Sequence, residues 1–325
     1  MRRREFITLL FGAVALRPLS ARAQQSGQLR QVGVLYPGPK SVAALRIKSI
    51  LSGLEAGGVP SEKLTIVARV AYGDPALLQP MAVELVERKV DVIIALGPAA
   101  VRAARAATTS IPIVAGDLES NALGTGFFTE IKRPGGNVTG VYLDSPDFSK
   151  KWLQALKEAI PQNSMVAVLW DSATGRDQRN AIESAAAELN VTLTVLEVRL
   201  ANDLERAMQT AKNQGAGGLI LLSSPLVAGN TKLLADLAMK YHLPAITLFA
   251  EFARDGGLMS YGPSIQAVVR QEGVMAAKIL LGANPAEMPI ETPTRFEFVL
   301  NLITAKALGI AIPASTLLRA DEVIE

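Results

Sequence analysis

From residue 31 onward, short apolar and β-branched runs alternate with segments whose apolar positions recur every three or four residues. QVGVLY (31–36), LTIVARV (64–70), DVIIAL (91–96), IPIVA (111–115) and NVTGVYL (137–143) read as strands of a first half. MVAVLW (165–170), VTLTVLEV (191–198), GLILL (218–222), AITLF (245–249) and GLMSY (257–261) read as strands of a second. Continuous apolar runs of this length suit strands buried on both faces, as in parallel sheets covered by helices.

The intervening segments carry the helical period. Ile47, Ile50, Leu51 and Leu54 share one face, and Gly57-Gly58 stops that helix. Leu204, Ala207, Met208 and Ala211 repeat the pattern, with Asn202 or Asp203 as cap and Gly215 as stop. Phe148, Trp152, Leu156 and Ala159 line a helix ended by Pro161, and Ser264 caps one carrying Ile265, Val268, Val269 and Met275. Pro80, inside a helical stretch from Pro75 to Lys89, implies a kink or a later start.

Alternating β and α units predict an α/β fold. Two similar runs of strands predict two doubly wound parallel-sheet lobes rather than one wide sheet. The change-over falls near Asp144-Ser145-Pro146, a second crossing near Tyr261-Gly262-Pro263, and a third in Ala283–Pro293, which holds Pro285, Pro289 and Pro293. One lobe then comprises 24–144 plus about 262–291, and the other 145–261 plus about 292–325. Several crossings between the same two lobes make a hinge.

The first 23 residues stand apart. Arg2, Arg3 and Arg4 precede the apolar run FITLLFGAVAL, and Ala21-Arg22-Ala23 offers the small residues of a cleavage site. This order reads as an export signal cleaved near Ala23, and Arg3-Arg4-Glu5-Phe6-Ile7 fits a twin-arginine as well as a general secretory route. The expected location is the periplasm. The segment also changes the charge balance. The whole chain is formally +3, but five arginines against Glu5 lie before Gln24, so the remainder is −1. A nearly neutral chain gives no electrostatic argument for a nucleic-acid partner.

Composition narrows the chemistry. The sequence has no cysteine and one histidine, His242, which excludes thiol catalysis and sites needing several imidazoles. His242 falls at the end of a helical stretch, where interaction with the helix dipole explains it. Phosphate-loop and nucleophile-elbow motifs are absent, and Gly124-Thr125-Gly126 lacks the strand and spacing of a dinucleotide loop. No enzymatic activity and no cofactor are expected.

Open parallel sheets bind ligands beyond the carboxyl ends of their strands. Those ends offer Tyr36, Gly38, Pro98, Ala99 and Asp117 from the first half. The second half offers Trp170, Asp171, Ser223, Ser224, Phe249 and Glu251. If the lobes face each other, these eleven candidates line one cleft. Helix starts after Gly97 and Ser224 favour a carboxylate, a buried Asp favours an ammonium, and the aromatic rings cover an apolar body. Asp117 and Asp171 are equally suited to capping the helices that follow them, and Trp170 to packing between strand and helix.

The leader MRRREFITLL…ARAQQ, the turn RPGGNVTGV (133–141), EFARDGGLMSYG (251–262) and the tail FEFVLNLITAKALGIAIPASTLLRADEVIE (296–325) together resemble a known family. It is the tryptophan/tyrosine-type substrate-binding proteins of ATP-binding-cassette (ABC) transporters. The resemblance spans nearly the whole chain and implies a type I periplasmic binding fold that closes on a small solute. It also implies a membrane permease with a cytoplasmic ATPase as partner. Three segments depart from the pattern: a short Pro37–Ala43, Phe127-Phe128-Thr129-Glu130, and Leu118-Glu119-Ser120, where a proline is commoner. A ligand-sensing subunit for a membrane receptor is the alternative reading, since its binding chemistry is the same. A DNA-binding regulator of this fold would need a helix-turn-helix where the export signal stands.

Overall fold

A computed structural model describes residues 29–143, 145–161 and 165–325. The expected export signal and Asp144 of the first crossing lie outside the described residues.

The first unit runs β1 (Arg30–Tyr36), α1 (Lys40–Ala56), β2 (Leu64–Val70), α2 (Leu78–Glu87), β3 (Val92–Leu96), α3 (Pro98–Ala107), β4 (Ile113–Asp117) and β5 (Val138–Tyr142). The second begins α4 (Ser145–Ala159), β6 (Met165–Asp171), α5 (Asp177–Leu189), β7 (Thr192–Val198), α6 (Ala201–Asn213) and β8 (Gly218–Leu221). It continues α7 (Pro225–Ala228), α8 (Thr231–Lys240), β9 (Ala245–Thr247), α9 (Ala250–Arg254) and β10 (Met259–Pro263). The chain ends α10 (Ile265–Leu280), β11 (Phe296–Asn301), α11 (Leu302–Ala307), α12 (Ala314–Leu317) and β12 (Glu322–Ile324).

Two sheets result: five strands in the order β2-β1-β3-β4-β5, and seven in the order β12-β11-β10-β9-β8-β6-β7. The first is parallel throughout, with Val32 of β1 opposite Ile66 of β2 and Val92 of β3. The α/β reading with two parallel-sheet lobes holds. One pairing differs, because β10 and β11 are antiparallel. The path explains it. The chain leaves β10 at its carboxyl end, builds α10 against α1, β3 and β4, and returns to that same end. The returning strand must run the other way. β11 and β12 are absent from the ten expected strands. FEFVLN is short and mixed in polarity, and β12 has three residues at the extreme end.

Local signals act mostly as chemistry dictates. α2 starts late, at Leu78, so Pro80 falls in its first turn, where its missing N–H costs nothing. α6 differs from expectation. Leu200 holds the cap position, and Asp203 in the first turn reaches back to accept from the amides of Arg199 and Leu200, both at 3.1 Å. Ser264 precedes α10 but makes no capping bond through its side chain.

Helices α1 and α10 cross closely, and two glycines permit it. A Cβ on Gly53 would stand 2.1 Å from the Arg270 carbonyl oxygen, and one on Gly273 would stand 2.4 Å from that of Ile50. The segment after α10 runs beside β5. Glu291 exchanges backbone bonds with Gly140 (2.9 Å) and Tyr142 (3.0 Å), and the Thr139 hydroxyl donates to the Met288 carbonyl (3.0 Å). At the opposite end of the crossing, Trp152 of α4 is buried and its Nε1 donates to the Tyr261 carbonyl of β10 at 2.6 Å. Phe148 stacks on Tyr261 with ring centres 5.6 Å apart.

Candidate functional site

The carboxyl ends of the two sheets confront one another. Among the described residues, three hydrogen bonds cross between the units at that rim. Ser223 Oγ donates to Glu119 Oε1 (2.8 Å), Arg102 to the Ala173 carbonyl (3.1 Å), and the Asn121 amide to Asp177 Oδ2 (2.8 Å). Gln178, fully buried, fixes the Ser223 backbone by bonds to its N–H (2.9 Å) and carbonyl (2.8 Å).

Two cavities lie between the units and share Pro225. The outer one, about 350 Å³, is lined by Pro37, Gly38, Tyr72, Pro98 and Ala99 on one side. Asp171, Thr174, Arg199, Leu200, Leu226 and Asn230 line the other. The inner one, about 70 Å³, is bounded by Tyr36, Arg46, Leu96, Gly116, Leu118, Glu119, Ser224, Phe249, Val268, Val269 and Glu272.

The eleven candidates distribute as follows. Tyr36, Ser224 and Phe249 line the inner cavity, and Gly38, Pro98, Ala99 and Asp171 the outer one. Asp117, Trp170, Ser223 and Glu251 line neither. Asp117 is buried beneath the β4 loop and accepts from the amides of Glu119 (3.0 Å) and Ser120 (2.9 Å). Asp171 likewise accepts from the Ala173 amide (2.9 Å) while one edge faces the outer cavity. Trp170 Nε1 donates to the Gly175 carbonyl (2.7 Å), and the Arg179 guanidinium lies 5.1 Å from its ring. Ser223 forms the crossing bond to Glu119, and Glu251 sits in the first turn of α9.

Three charged residues that the strand-end argument misses shape the inner cavity: Arg46 from α1, Glu119 from the β4 loop and Glu272 from α10, all buried. Each left a trace in the sequence. Arg46 lies one turn before Ile50 on the buried face of α1, and Glu272 falls between Val269 and Met275 on that of α10. A charge on an apolar stripe was the available signal. Glu119 belongs to one of the segments that depart from the family pattern.

The electrostatics follow from burial. Desolvation pushes the Glu272 carboxyl up from 4.5 to about 8, partly countered by Arg46. It pushes Glu119 to about 8 as well, and the neighbouring Asp117 adds to that rise. Asp117, Asp171 and the Tyr36 phenol are also raised, each mainly by burial. Glu272 Oε2 and the Tyr36 hydroxyl are buried without a hydrogen-bond partner. The Glu272 carboxyl rests on Gly116, where a Cβ would stand 2.2 Å from Oε1 and would push the carboxyl aside. No cluster of three His, Cys, Asp or Glu able to hold a metal occurs among the described residues.

A pair of doubly wound units with polar groups buried between their facing rims is the arrangement of the type I periplasmic binding fold. The chain belongs to the ABC transporter substrate binding protein family, whose model matches residues 34–324. It is 23% identical over 269 residues to a tyrosine-binding protein of Clostridioides difficile (strain R20291), covering 80% of this chain and 75% of that one. Among solved structures it is similar to a conserved domain protein of Vibrio cholerae O1 biovar El Tor N16961. That likeness has a TM-score of 0.84 at 23% identity, over 91% of this chain and all of the other. It is similar also to the ABC domain from Streptococcus pneumonia in complex with L-Trp, with a TM-score of 0.83, 22% identity and the same coverage. A ligand-free, open substrate binding protein with adhesive properties from Clostridium difficile gives a TM-score of 0.65 at 22% identity, over 91% of this chain and 99% of its own. The family is one of substrate-binding proteins, and the Clostridium difficile neighbour is a substrate binding protein too.

Proposed function

We propose that this protein is the extracytoplasmic receptor of an ABC importer. It captures a small amino-acid-like or aromatic carboxylate between its lobes and presents the closed form to a permease with a cytoplasmic ATPase. The observation that carries the reading is the pair of cavities between facing strand ends, walled by both units and bridged by Ser223–Glu119 and Arg102–Ala173. Residues 24–144 with about 262–291 form one lobe, and 145–261 with about 292–325 the other. The packing of α10 on α1 and the place of β11 and β12 in the second sheet support that division.

Ligand capture works by differential affinity: a solute that touches both rims binds the closed form and shifts the population toward it. The outer cavity seats the carboxylate near the start of α3, where Pro98 and Ala99 open a ten-residue helix. Gly38, Asp171 and Leu226 cover the body, and Tyr36, Ser224 and Phe249 meet its inner end. The higher similarity to the L-Trp complex (0.83) than to the open, ligand-free relative (0.65) supports a closed arrangement. The sequence before Gln24 supports export to the periplasm.

The test is native mass spectrometry of the protein purified without denaturation, followed by calorimetry with any solute it retains and with a panel of amino acids and aromatic acids. A retained small carboxylate that binds again at one site per chain supports the reading. A protein that retains nothing and binds no member of the panel contradicts it.

A further inference from the structure

Among the described residues, Tyr72, Lys89, Asn190 and His242 have a positive φ without being glycine. Lys89, Asn190 and His242 each follow the last turn of a helix (α2, α5 and α8), where a left-handed residue is an ordinary stop. Tyr72 ends no helix. It follows β2 with φ 53°, and for so bulky a side chain that conformation is costly. Backbone bonds fix the turn on both sides: the Ala71 amide donates to the Tyr36 carbonyl (2.9 Å), that of Gly73 to Pro37 (2.8 Å), and that of Asp74 to Ala71 (2.9 Å). No internal contact of the side chain offsets the strain. The residue is 63% exposed, and among the described residues its ring stacks on no other ring and its hydroxyl has no protein partner. A strained residue of this kind calls for a function.

Tyr72 stands on the wall of the outer cavity. The first unit's share of that wall holds four prolines, Pro37, Pro39, Pro75 and Pro98, and no charged side chain. The charged lining residues, Asp171 and Arg199, belong to the second unit. So does Leu200, which is 60% exposed and held at the start of α6. Two large side chains thus stand exposed on one cavity from opposite units. Proline rings lose no rotamer freedom on contact, and their C–H groups suit the electron-rich face of a planar ring. The cavity, at about 350 Å³, is more than twice the size of one that takes up benzene, about 150 Å³. It has room for a ring together with its carboxylate.

We infer that Tyr72 is a specificity residue of this site, its ring stacking on a planar aromatic part of the solute while Leu200 closes on that part from the second unit. The inference rests on the receptor reading above and adds to it the residue that reads the solute's body. The left-handed backbone holds the phenol at the cavity wall, and hinge closure carries Leu200 towards it. The carboxylate keeps its place near the start of α3. A saturated ring of equal size gains the burial but not the ring-on-ring contact, and is bound less well on that account.

The test compares solutes that share a carbon skeleton and differ in the ring: L-phenylalanine with L-cyclohexylalanine, and 3-phenylpropionate with 3-cyclohexylpropionate. Calorimetry measures their affinities for the wild-type chain, Tyr72→Phe and Tyr72→Asn, beside melting curves without solute. Asparagine tolerates left-handed backbone, so Tyr72→Asn should melt no lower than wild type and up to about 2 °C higher. The same variant should bind the phenyl member at least about tenfold more weakly. Wild type should prefer phenyl to cyclohexyl by at least about threefold, although burial alone favours the more apolar cyclohexyl. Tyr72→Phe should keep that preference and Tyr72→Asn should lose it. A wild type without the preference, an affinity or preference unchanged in Tyr72→Asn, or a melting temperature in that variant more than about 3 °C below wild type overturns the inference and leaves the receptor reading standing. If no member of either pair binds, the solute retained on purification takes their place. An aromatic solute that Tyr72→Asn binds at least about tenfold more weakly sustains the inference. A solute without a planar ring, or one bound equally by the variant, overturns the inference alone. A protein that retains nothing contradicts the receptor reading and this inference with it.

Discussion

Replacing Glu272 by glutamine should change how stability depends on pH. The carboxyl lies on the buried face of α10 against Gly116 of β4, facing Arg46 from α1, with Tyr36 of β1 and Glu119 across the same cavity. Burial raises its pKa from 4.5 to about 8, so the folded chain keeps this proton to a higher pH than the unfolded chain does. Its contribution is fully present below about 4.5 and is lost as pH rises through about 8. At about 1.4 kcal/mol per pH unit the ceiling is roughly 5 kcal/mol, less whatever entering water recovers. Glutamine has the same shape and never ionises. Urea titrations followed by tryptophan fluorescence at about pH 5 and about pH 9 measure the difference. Wild type should lose several kcal/mol across that interval, part of it from Glu119, which burial also raises to about 8. Glu272→Gln should lose about 2–5 kcal/mol less, while the two proteins stay within about 1 kcal/mol of each other at the acid end. Parallel pH profiles would refute the reasoning, because they would mean that the carboxyl ionises in the folded protein without cost.

Two further substitutions probe one contact between the units and one within the second unit. Ser223→Ala removes the bond to Glu119 Oε1 and should weaken the closed form by about 1–2 kcal/mol. Calorimetry should show a five- to thirtyfold loss of solute affinity with the unliganded melting temperature little changed; an unaltered affinity would count against a role in closure. Trp152→Phe removes the 2.6 Å bond from Nε1 to the Tyr261 carbonyl and part of the aromatic packing beside it. It should cost about 1–3 kcal/mol in urea titrations, and a neutral result would argue against that bond.

The central strands of both sheets were legible because a strand buried on two faces leaves an unbroken apolar run that polar helices cannot imitate. β4 shows the precision of such a run: IPIVA marked it, yet the strand begins at Ile113, since Pro112 has no N–H to give the ladder. β11 escaped because Glu297 and Asn301 interrupt FEFVLN, and its direction depends on a detour through the other unit that no local pattern records. At the site, the strand-end rule located Gly38, Pro98, Ala99 and Asp171 around the outer cavity and Tyr36, Ser224 and Phe249 around the inner one. It could not reach Arg46 or Glu272. Both sit mid-helix, and they meet only because Gly53 and Gly273 let α1 and α10 approach to backbone contact. Asp117 illustrates the opposite case, a strand-end carboxylate consumed by its own loop amides.

The claim that two lobes close on a solute is tested most directly by a distance across the mouth. The chain has no cysteine, so Ala76→Cys beside Pro75 and Asn202→Cys beside Ala201, both exposed, place one nitroxide on each rim of the outer cavity. Pulsed electron double resonance on the solute-free and solute-bound protein then reports their separation. Closure on the solute predicts a broad, longer distribution that collapses to a single shorter distance on binding. An identical distribution in both states, with calorimetry showing the solute bound, would contradict it.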